Sequence, residues 1–525
     1  MVEQTALEQN LIQRVAFGDT LRRRARDAAD TTAIISYGEQ GRKTIDYQTL
    51  NAKANQLVRG LRQQGINQGD SVALLATNSI EFFITLFACY KGGFIAVPIN
   101  FLQNVSDIHY NLTQAQVKAV VAESRFMPLT KGAELTSITT YIAIDNVDQE
   151  LTLTSLMAQQ DTSEINDVII NDRDTAHIIF SSGTTSKAKG IETSHLAITM
   201  ATLSTPLGFN FAIAHRHLAV LPTFHCAALT FCLSTLQIRG TLTLLPAFDA
   251  PSVAKIMVAE RIQSAGLLPI MWKALLSLDN LATYDHSHLE TGIYAMAPMD
   301  SATLTTLRET FRGCRFHLGS GQSEFTPVAC IYYDRCDTEF SEGNYWGVPT
   351  LLTEQAVIDD NGNEVAPGEK GEICWRGPQV MSGYLGDEKQ SQQASEFGWH
   401  HSGDLGLVDN QGQLLFVDRK KDMIKSGGEN VASIKVEQIL LGAPNVLQVA
   451  VFGVPHQHWV EAVVGAVQLA PNSEFNEQDI IDYCKTHLAG YEVPKRILNL
   501  EQFPLTATGK IQKNELRQQY QSLFE

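Results

Sequence analysis

Ser181-Ser182-Gly183-Thr184-Thr185-Ser186-Lys187-Ala188-Lys189-Gly190 is the stretch on which the reading of this chain turns. Before it lies Ala176-His177-Ile178-Ile179-Phe180, a short, partly β-branched apolar run with strand character; after it, Ser194-His195-Leu196-Ala197-Ile198 reads as the start of a helix. A strand therefore feeds a loop of hydroxyls, glycines and lysines. Such a loop can wrap a polyphosphate, because glycines let backbone N–H groups approach, Ser and Thr hydroxyls donate to phosphate oxygens, and a Lys supplies a point charge. It is not a Walker loop, which needs Gly-Lys followed by Ser or Thr at a set distance from a first Gly. Taken in isolation, the ten residues also suit a solvated Ser/Thr turn.

Composition bounds what surrounds this loop. A chain of 525 residues is too long for one core, so two or three packed units are expected. The net charge of -17 argues against non-specific nucleic-acid binding, yet says little about a small anionic substrate, which feels local charge. Met1-Val2-Glu3-Gln4-Thr5 is acidic and polar, and no apolar run is long enough to span a bilayer; a cytoplasmic protein without integral membrane association is expected. The eight cysteines are scattered, with no Cys-x-x-Cys pair and no histidines at zinc spacing, which favours buried thiols in a reducing compartment over a disulfide framework. Sequence alone leaves the oligomeric state open.

Upstream of the loop, helix-like and strand-like segments alternate. Tyr47 to Val58 has apolar residues at helical spacing, Gly65 to Asp70 is a loop, Ser71-Val72-Ala73-Leu74-Leu75 reads as a buried strand, Ile80 to Tyr90 as a helix running to Gly92-Gly93, and Phe94 to Pro98 as another strand. This alternation implies a parallel sheet covered on both faces. Downstream, Thr353 to Val365 reads as a hairpin about Asn361-Gly362, and the runs Glu372–Gly377 and Trp399–Gly406 suggest a β-rich subdomain. The remainder, roughly from Asp422, contains strands at Val446–Phe452 and Ala462–Val467 with helix candidates between and after them.

Several segments hold residues with chemical capacity. Leu221-Pro222-Thr223-Phe224-His225-Cys226-Ala227-Ala228 is an apolar loop around one histidine, which on its own reads as a satisfied polar residue near a core. Ala295-Met296-Ala297-Pro298 suits a tight turn. Phe316-His317-Leu318-Gly319-Ser320-Gly321-Gln322-Ser323-Glu324 ends in a carboxylate that, alone, would be a solvated surface charge. Asp404 sits in Ser-Gly-Asp-Leu-Gly; Arg419, Lys420, Lys421 and Lys425 cluster before Gly427-Gly428; and Lys510 ends Thr506-Ala507-Thr508-Gly509-Lys510. Each has a plain reading as a solvated charge or turn.

In order, however, these segments resemble the adenylate-forming superfamily of acyl-CoA synthetases, nonribosomal adenylation domains and luciferases. The match runs from about Tyr47 to Lys510, with departures at Ser186, Ala188 and Ser320. The resemblance implies an α/β fold: a large N-terminal adenylation domain (1–420) of layered α/β subdomains plus a β-rich one, and a small, mobile α+β C-terminal lid (421–525). It implies ATP, Mg2+ and coenzyme A as cofactors. Ser182, Gly183, Thr184, Thr185 and Lys189 would form the phosphate loop. Ala297, Pro298, Ser320, Gly321 and Gln322 would face the nucleotide, with Ser323 at the α-phosphate and Glu324 as both catalytic residue and magnesium ligand. Asp404 would accept the ribose hydroxyls, two acceptor oxygens suiting a vicinal diol, and Arg419 would contact ribose or phosphate. Lys421 would be the hinge, Gly427 and Gly428 would pass the pantetheine arm, and Lys510 would bridge the carboxylate and the α-phosphate. His225, Cys226, Ala228, Met296 and Gly319 would line the acid pocket. Amino-acid-activating members generally place an Asp where His225 stands, so a free α-amino acid is not the expected substrate. The implied activity is carboxylic acid–CoA ligation through an acyl-adenylate; loading of a separate carrier protein and an inactive nucleotide-binding homologue are the rival readings.

Overall fold

The structure, a computed structural model, describes residues 4–39, 41–145, 151–181, 187–295, 299–334, 344–505 and 511–525. It divides into two compact units, the larger built from Met1–Ser181, Ala188–Gln355 and Trp375–His400, the smaller from Ala356–Cys374 and His401–Glu525. The mixed α/β class expected from sequence, a large N-terminal part with a small C-terminal α+β part, is the observed one.

A seven-stranded sheet of the larger unit runs Gly383–Tyr384, Lys189–Ser194, Thr175–Ser181, Ile95–Pro98, Ser71–Leu75, Val117–Ala122 and Thr140–Ala143. Its last five strands are parallel, and all of Ser71–Leu75 is buried, as expected for a central strand covered on both faces. The covering helix Ile80–Gly92 starts where the Ser79 hydroxyl accepts from Phe82 N and stops where Gly93 turns left-handed at φ 72°. Apart from Glu81 the helix is buried, and it carries Lys91 into the core, where the ammonium donates to Asn51 Oδ1 at 2.7 Å and Glu164 Oε2 at 2.8 Å. A second sheet of this unit has the order Tyr345–Pro349, Val328–Tyr332, Arg315–Gly321, Thr291–Tyr294, Ser264–Leu267, Arg216–Ala219, Thr241–Leu244, Thr32–Gly38 and Gly41–Asp46. It is parallel from Arg315–Gly321 to Thr32–Gly38 and antiparallel at both ends.

Glu354–Ile358, Gly371–Arg376, His400–Val408 and Leu414–Arg419, most of whose residues belong to the smaller unit, are successive neighbours. The hairpin about Asn361-Gly362 is present: Gly362 has φ 81°, and the Asp359 carboxylate accepts from Asn361 N and Asn363 N at 2.9 and 2.8 Å. A five-stranded sheet follows, in which Val446–His456 and Val460–Leu469 pair antiparallel along their length. No helix separates these two strands, contrary to the sequence expectation; the chain reverses at once between His456 and Val460. Helices Ser433–Leu441 and Glu477–Lys485 contribute Val436, Leu440, Ile480 and Cys484 to the same apolar cluster as Val451, Val463 and Val467.

Candidate active site

The loop that opened the sequence reading joins two antiparallel strands. Ser181 pairs with Lys189, so Thr175–Ser181 and Lys189–Ser194 form a hairpin before the helix His195–Gly208 begins at Ser194, whose hydroxyl accepts from Ala197 N at 3.2 Å. Ser182, Gly183, Thr184 and Thr185 lie outside the described residues, as do Met296, Ala297, Pro298 and Lys510. Lys189 itself belongs to the hairpin's second strand, half-buried, and its Nζ lies 4.7 Å from the ring centroid of Tyr384.

Glu324 is held in a connection that permits little else. The strand Arg315–Gly321 is parallel to Thr291–Tyr294 on one side and antiparallel to Val328–Tyr332 on the other, with a bulge between Ser320 and Gly321. Gly321 has φ 148°, and a Cβ there would fall 1.9 Å from the Pro327 carbonyl oxygen, so only glycine fits. One turn of 3₁₀ helix, Ser323–Phe325, is closed by Thr326 at φ 52°. That turn is laced to a distant segment: the Thr326 hydroxyl donates to Gln379 O at 2.8 Å, and Met381 N donates to Glu324 O at 2.8 Å. The segment continues into Gly383–Tyr384, which pairs with Ile191 and Glu192 of the hairpin. The Tyr384 hydroxyl donates to Glu324 Oε1 at 3.0 Å, and burial together with the Glu324 charge holds this phenol protonated, well above the ordinary tyrosine range. Tyr384 thus meets both charges, the Lys189 ammonium over its ring and the Glu324 carboxylate at its hydroxyl.

Neighbouring predicted residues take definite positions. Gln322 Nε2 donates to His400 Nε2 at 2.6 Å, Cys226 Sγ approaches Ser323 O at 3.9 Å, and Ser320 is buried. Burial, with a contribution from Glu324, pushes the Cys226 thiol up to about 12, so it is no nucleophile at neutral pH. His225 caps the helix Cys226–Gln237, half-buried against Phe224. Its loop is pinned by buried Asn78, which donates to Leu221 O and Leu245 O at 3.1 and 3.0 Å and accepts from Thr223 N at 3.0 Å. A cavity of about 30 Å³ opens beside this helix, lined by Ala227, Ala228, Phe231, Gly266, Leu267, Ile293 and Ala295 together with His217 to Leu221. Ala228 lines it; His225, Cys226 and Gly319 do not, Gly319 packing instead toward the Phe209 ring. At the wall, His217 Nδ1 meets Ser264 Oγ at 2.7 Å, and burial lowers its pKa to about 3.

In the smaller unit, Asp404 and Arg419 face each other across antiparallel strands, Arg419 Nε 3.6 Å from Asp404 Oδ1. Asp404 is mostly buried and Arg419 half-exposed. Lys421 is exposed, yet its pKa is lowered to about 8, by desolvation and then by the cations of Arg419 and Arg517. Because that side chain reaches water, the like charges are the firmer cause. Gly427 and Gly428, at φ 62° and 88°, form the turn between Ile424–Ser426 and Glu429–Val431; a Cβ on Gly427 would lie 2.8 Å from the Trp459 ring.

The family model of AMP-binding enzymes matches residues 21–385, and that of the AMP-binding enzyme C-terminal domain matches residues 435–510. The chain belongs to the AMP-binding enzyme family. This AMP-binding enzyme is 33% identical over 511 residues to a feruloyl-CoA synthase of Amycolatopsis sp, covering 95% of this chain and 98% of that one. It is 30% identical over 508 residues to a long-chain-fatty-acid–CoA ligase of Mycobacterium tuberculosis, covering 96% and 98%. The solved structure of a Mycobacterium tuberculosis fatty acyl CoA synthetase superposes with a TM-score of 0.78 at 28% identity, covering 97% of this chain and 99% of the other. The relatives are carboxylic acid–CoA ligases by name. Tyr384, Asn78 and His400 of this AMP-binding enzyme went unassigned in the sequence reading. The Tyr384–Glu324 contact spans 60 residues, and no periodicity links the two.

Proposed function

We propose that this chain is an ATP-dependent carboxylic acid–CoA ligase. It couples the carboxylate of an acid to the α-phosphate of ATP with release of pyrophosphate, then transfers the acyl group from the acyl-adenylate to the CoA thiol with release of AMP. The observation that supports this most directly is the contact of Tyr384 with both Lys189 and Glu324, which brings a positive and a negative group to one side chain. Glu324 is a half-buried oxygen donor with Oε1 restrained by Tyr384, a donor type that fits Mg2+. When bound, magnesium offsets the negative charge of the polyphosphate. Lys189 and the hydroxyls and amides of Ser182–Thr185 hold the phosphates, Ser323 donates to the α-phosphate, and Ala297, Pro298, Ser320, Gly321 and Gln322 meet the nucleoside. Asp404 takes the ribose hydroxyls beside Arg419, Lys421 is the pivot between an adenylation domain (1–420) and a lid (421–525), and Gly427-Gly428 borders the pantetheine path. Lys510 neutralises the charge that otherwise repels one anion from another. The names of the relatives include an aryl acid and a long-chain acid, so family membership leaves the acid of this enzyme unassigned. Seven described cysteines are buried thiols outside any disulfide, in keeping with a cytoplasmic enzyme.

The test is pyrophosphate release from ATP across short, medium, long and aryl acids, with and without CoA, for the native chain and Lys510→Ala. Acid-dependent release accelerated by CoA is expected. Lys510→Ala should abolish adenylation while sparing thioester formation from a supplied acyl-adenylate. Equal loss of both half-reactions would remove the role given to Lys510, release indifferent to CoA would point to a carrier-protein acceptor, and silence on every acid would defeat the ligase reading.

A further inference from the structure

We propose that Glu372, Cys374 and His401, on the neighbouring strands Gly371–Arg376 and His400–Val408 of the smaller unit, form a binding site for one Zn2+ ion. His401 Nδ1 lies 3.3 Å from Glu372 Oε2 and 3.8 Å from Cys374 Sγ, and the three ligand atoms lie within 4.8 Å of one another. Tetrahedral zinc, with bonds of about 2.0–2.3 Å, needs neighbouring ligand atoms about 3.3–3.6 Å apart. Two edges of the triangle are therefore close to their bound length, and rotation of the Glu372 side chain closes the third. One sulfur, one imidazole nitrogen and one carboxylate oxygen form a donor set for zinc; magnesium and calcium call for oxygen alone.

Burial suits such a site. Cys374 is fully buried, while the side chains of His401 and Glu372 keep 15% and 12% of their surface, so the ion would have one open side for a water as fourth ligand. The backbone N of Gly403 holds Glu372 Oε1 at 3.0 Å, a contact that orients the ligating carboxylate. A cation already occupies part of this field: Lys420 Nζ is 3.2 Å from Glu372 Oε2 and 3.1 Å from Asp360 Oδ1. Zinc takes the Glu372 oxygen from Lys420, which retains exposed Asp360, so Lys420 competes with the metal. As the Zn–S bond forms, the thiol proton of Cys374 passes to water, and no oxidant or reductant is consumed. Glu372 and Cys374 share one strand and His401 lies on its neighbour, so no zinc spacing is visible in the sequence.

The experiment titrates the full-length, reduced, chelator-treated chain with Zn2+ against a chromophoric chelator. One equivalent should bind; Cys374→Ser and His401→Gln should each weaken binding at least tenfold, and Lys420→Met should tighten it several-fold. Co2+ should give a thiolate-to-metal charge-transfer band in the native chain that Cys374→Ser lacks while its circular dichroism is unchanged. Should Cys374→Ser fail to fold, His401→Gln carries the comparison, because His401 is partly exposed. Absence of stoichiometric binding, or binding undiminished in the variants and hence located on other histidines, would overturn the proposal.

Discussion

Replacing Tyr384 by Phe removes one atom from the centre of the candidate site. The hydroxyl donates to Glu324 Oε1 at 3.0 Å in a half-buried setting, and the ring stays in place for Lys189 at 4.7 Å. A hydrogen bond to a charged group contributes about 1.5–3 kcal/mol. If Glu324 acts only when its carboxylate is held in one orientation, that loss appears in the adenylation barrier as roughly a 10- to 150-fold slower step. Acid-dependent exchange of radiolabelled pyrophosphate into ATP, at saturating acid and with magnesium varied, reads this directly. Thioester formation from a supplied acyl-adenylate should change less than twofold, since Glu324 is assigned to the first half-reaction. Tyr384→Leu should fall a further two- to fivefold in exchange, because the ring-to-Lys189 attraction, worth about 0.5–1 kcal/mol, is lost as well. Exchange in Tyr384→Phe within twofold of the native rate, in a chain that melts normally, would refute the claim that this contact positions Glu324.

Two further outcomes follow from the fold. Gly321→Ala places a methyl 1.9 Å from the Pro327 carbonyl at φ 148°, so the backbone carrying Ser323 and Glu324 must shift; a loss of about 3 kcal/mol or more in urea unfolding is expected, together with loss of exchange. Unchanged stability would show that the strand end relaxes freely. Burial lowers the pKa of His177 and His217 to about 3 and of His195, His215 and His317 to about 4. Unfolded histidine protonates near pH 6.5, so the unfolded chain binds more protons below that pH. The stability contributed by these neutral rings is fully present above about pH 6.5 and is lost as pH falls toward 4, at about 1.4 kcal/mol per pH unit for each ring. Urea midpoints at pH 7, 6 and 5 should drop steeply, and a flat profile would contradict buried neutral imidazoles.

The sequence made the parallel core legible because apolar content is local information. Ser71–Leu75 announces itself by an unbroken apolar run from Val72 and the helix from Ile80 as a segment running to Gly92-Gly93, and the structure buries the first and ends the second at Gly93. Where pairing partners decide, sequence reading fell short. The loop after Ser181 leads into another strand because Lys189–Ser194 finds hydrogen-bond partners on both sides, Thr175–Ser181 and Gly383–Tyr384. Likewise Val446–His456 and Val460–Leu469 turn directly into each other, pairing along their length and contributing together to an apolar cluster on each face.

By itself, then, the order of residue types implied the α/β class and a phosphate-wrapping loop with Lys189, while Glu324, Asp404 and Arg419, each a plain solvated charge when read alone, were nominated only by the resemblance of the ordered segments to a known superfamily. Tertiary structure alone decided that Tyr384 reaches Glu324, that Asn78 pins the His225 loop, that Ala228 rather than His225 lines the cavity, and that Cys374 meets Glu372 and His401. Each of these depends on which strands lie side by side. Strand neighbours are chosen by burial and hydrogen bonding across the whole sheet, a condition that no short stretch of sequence contains.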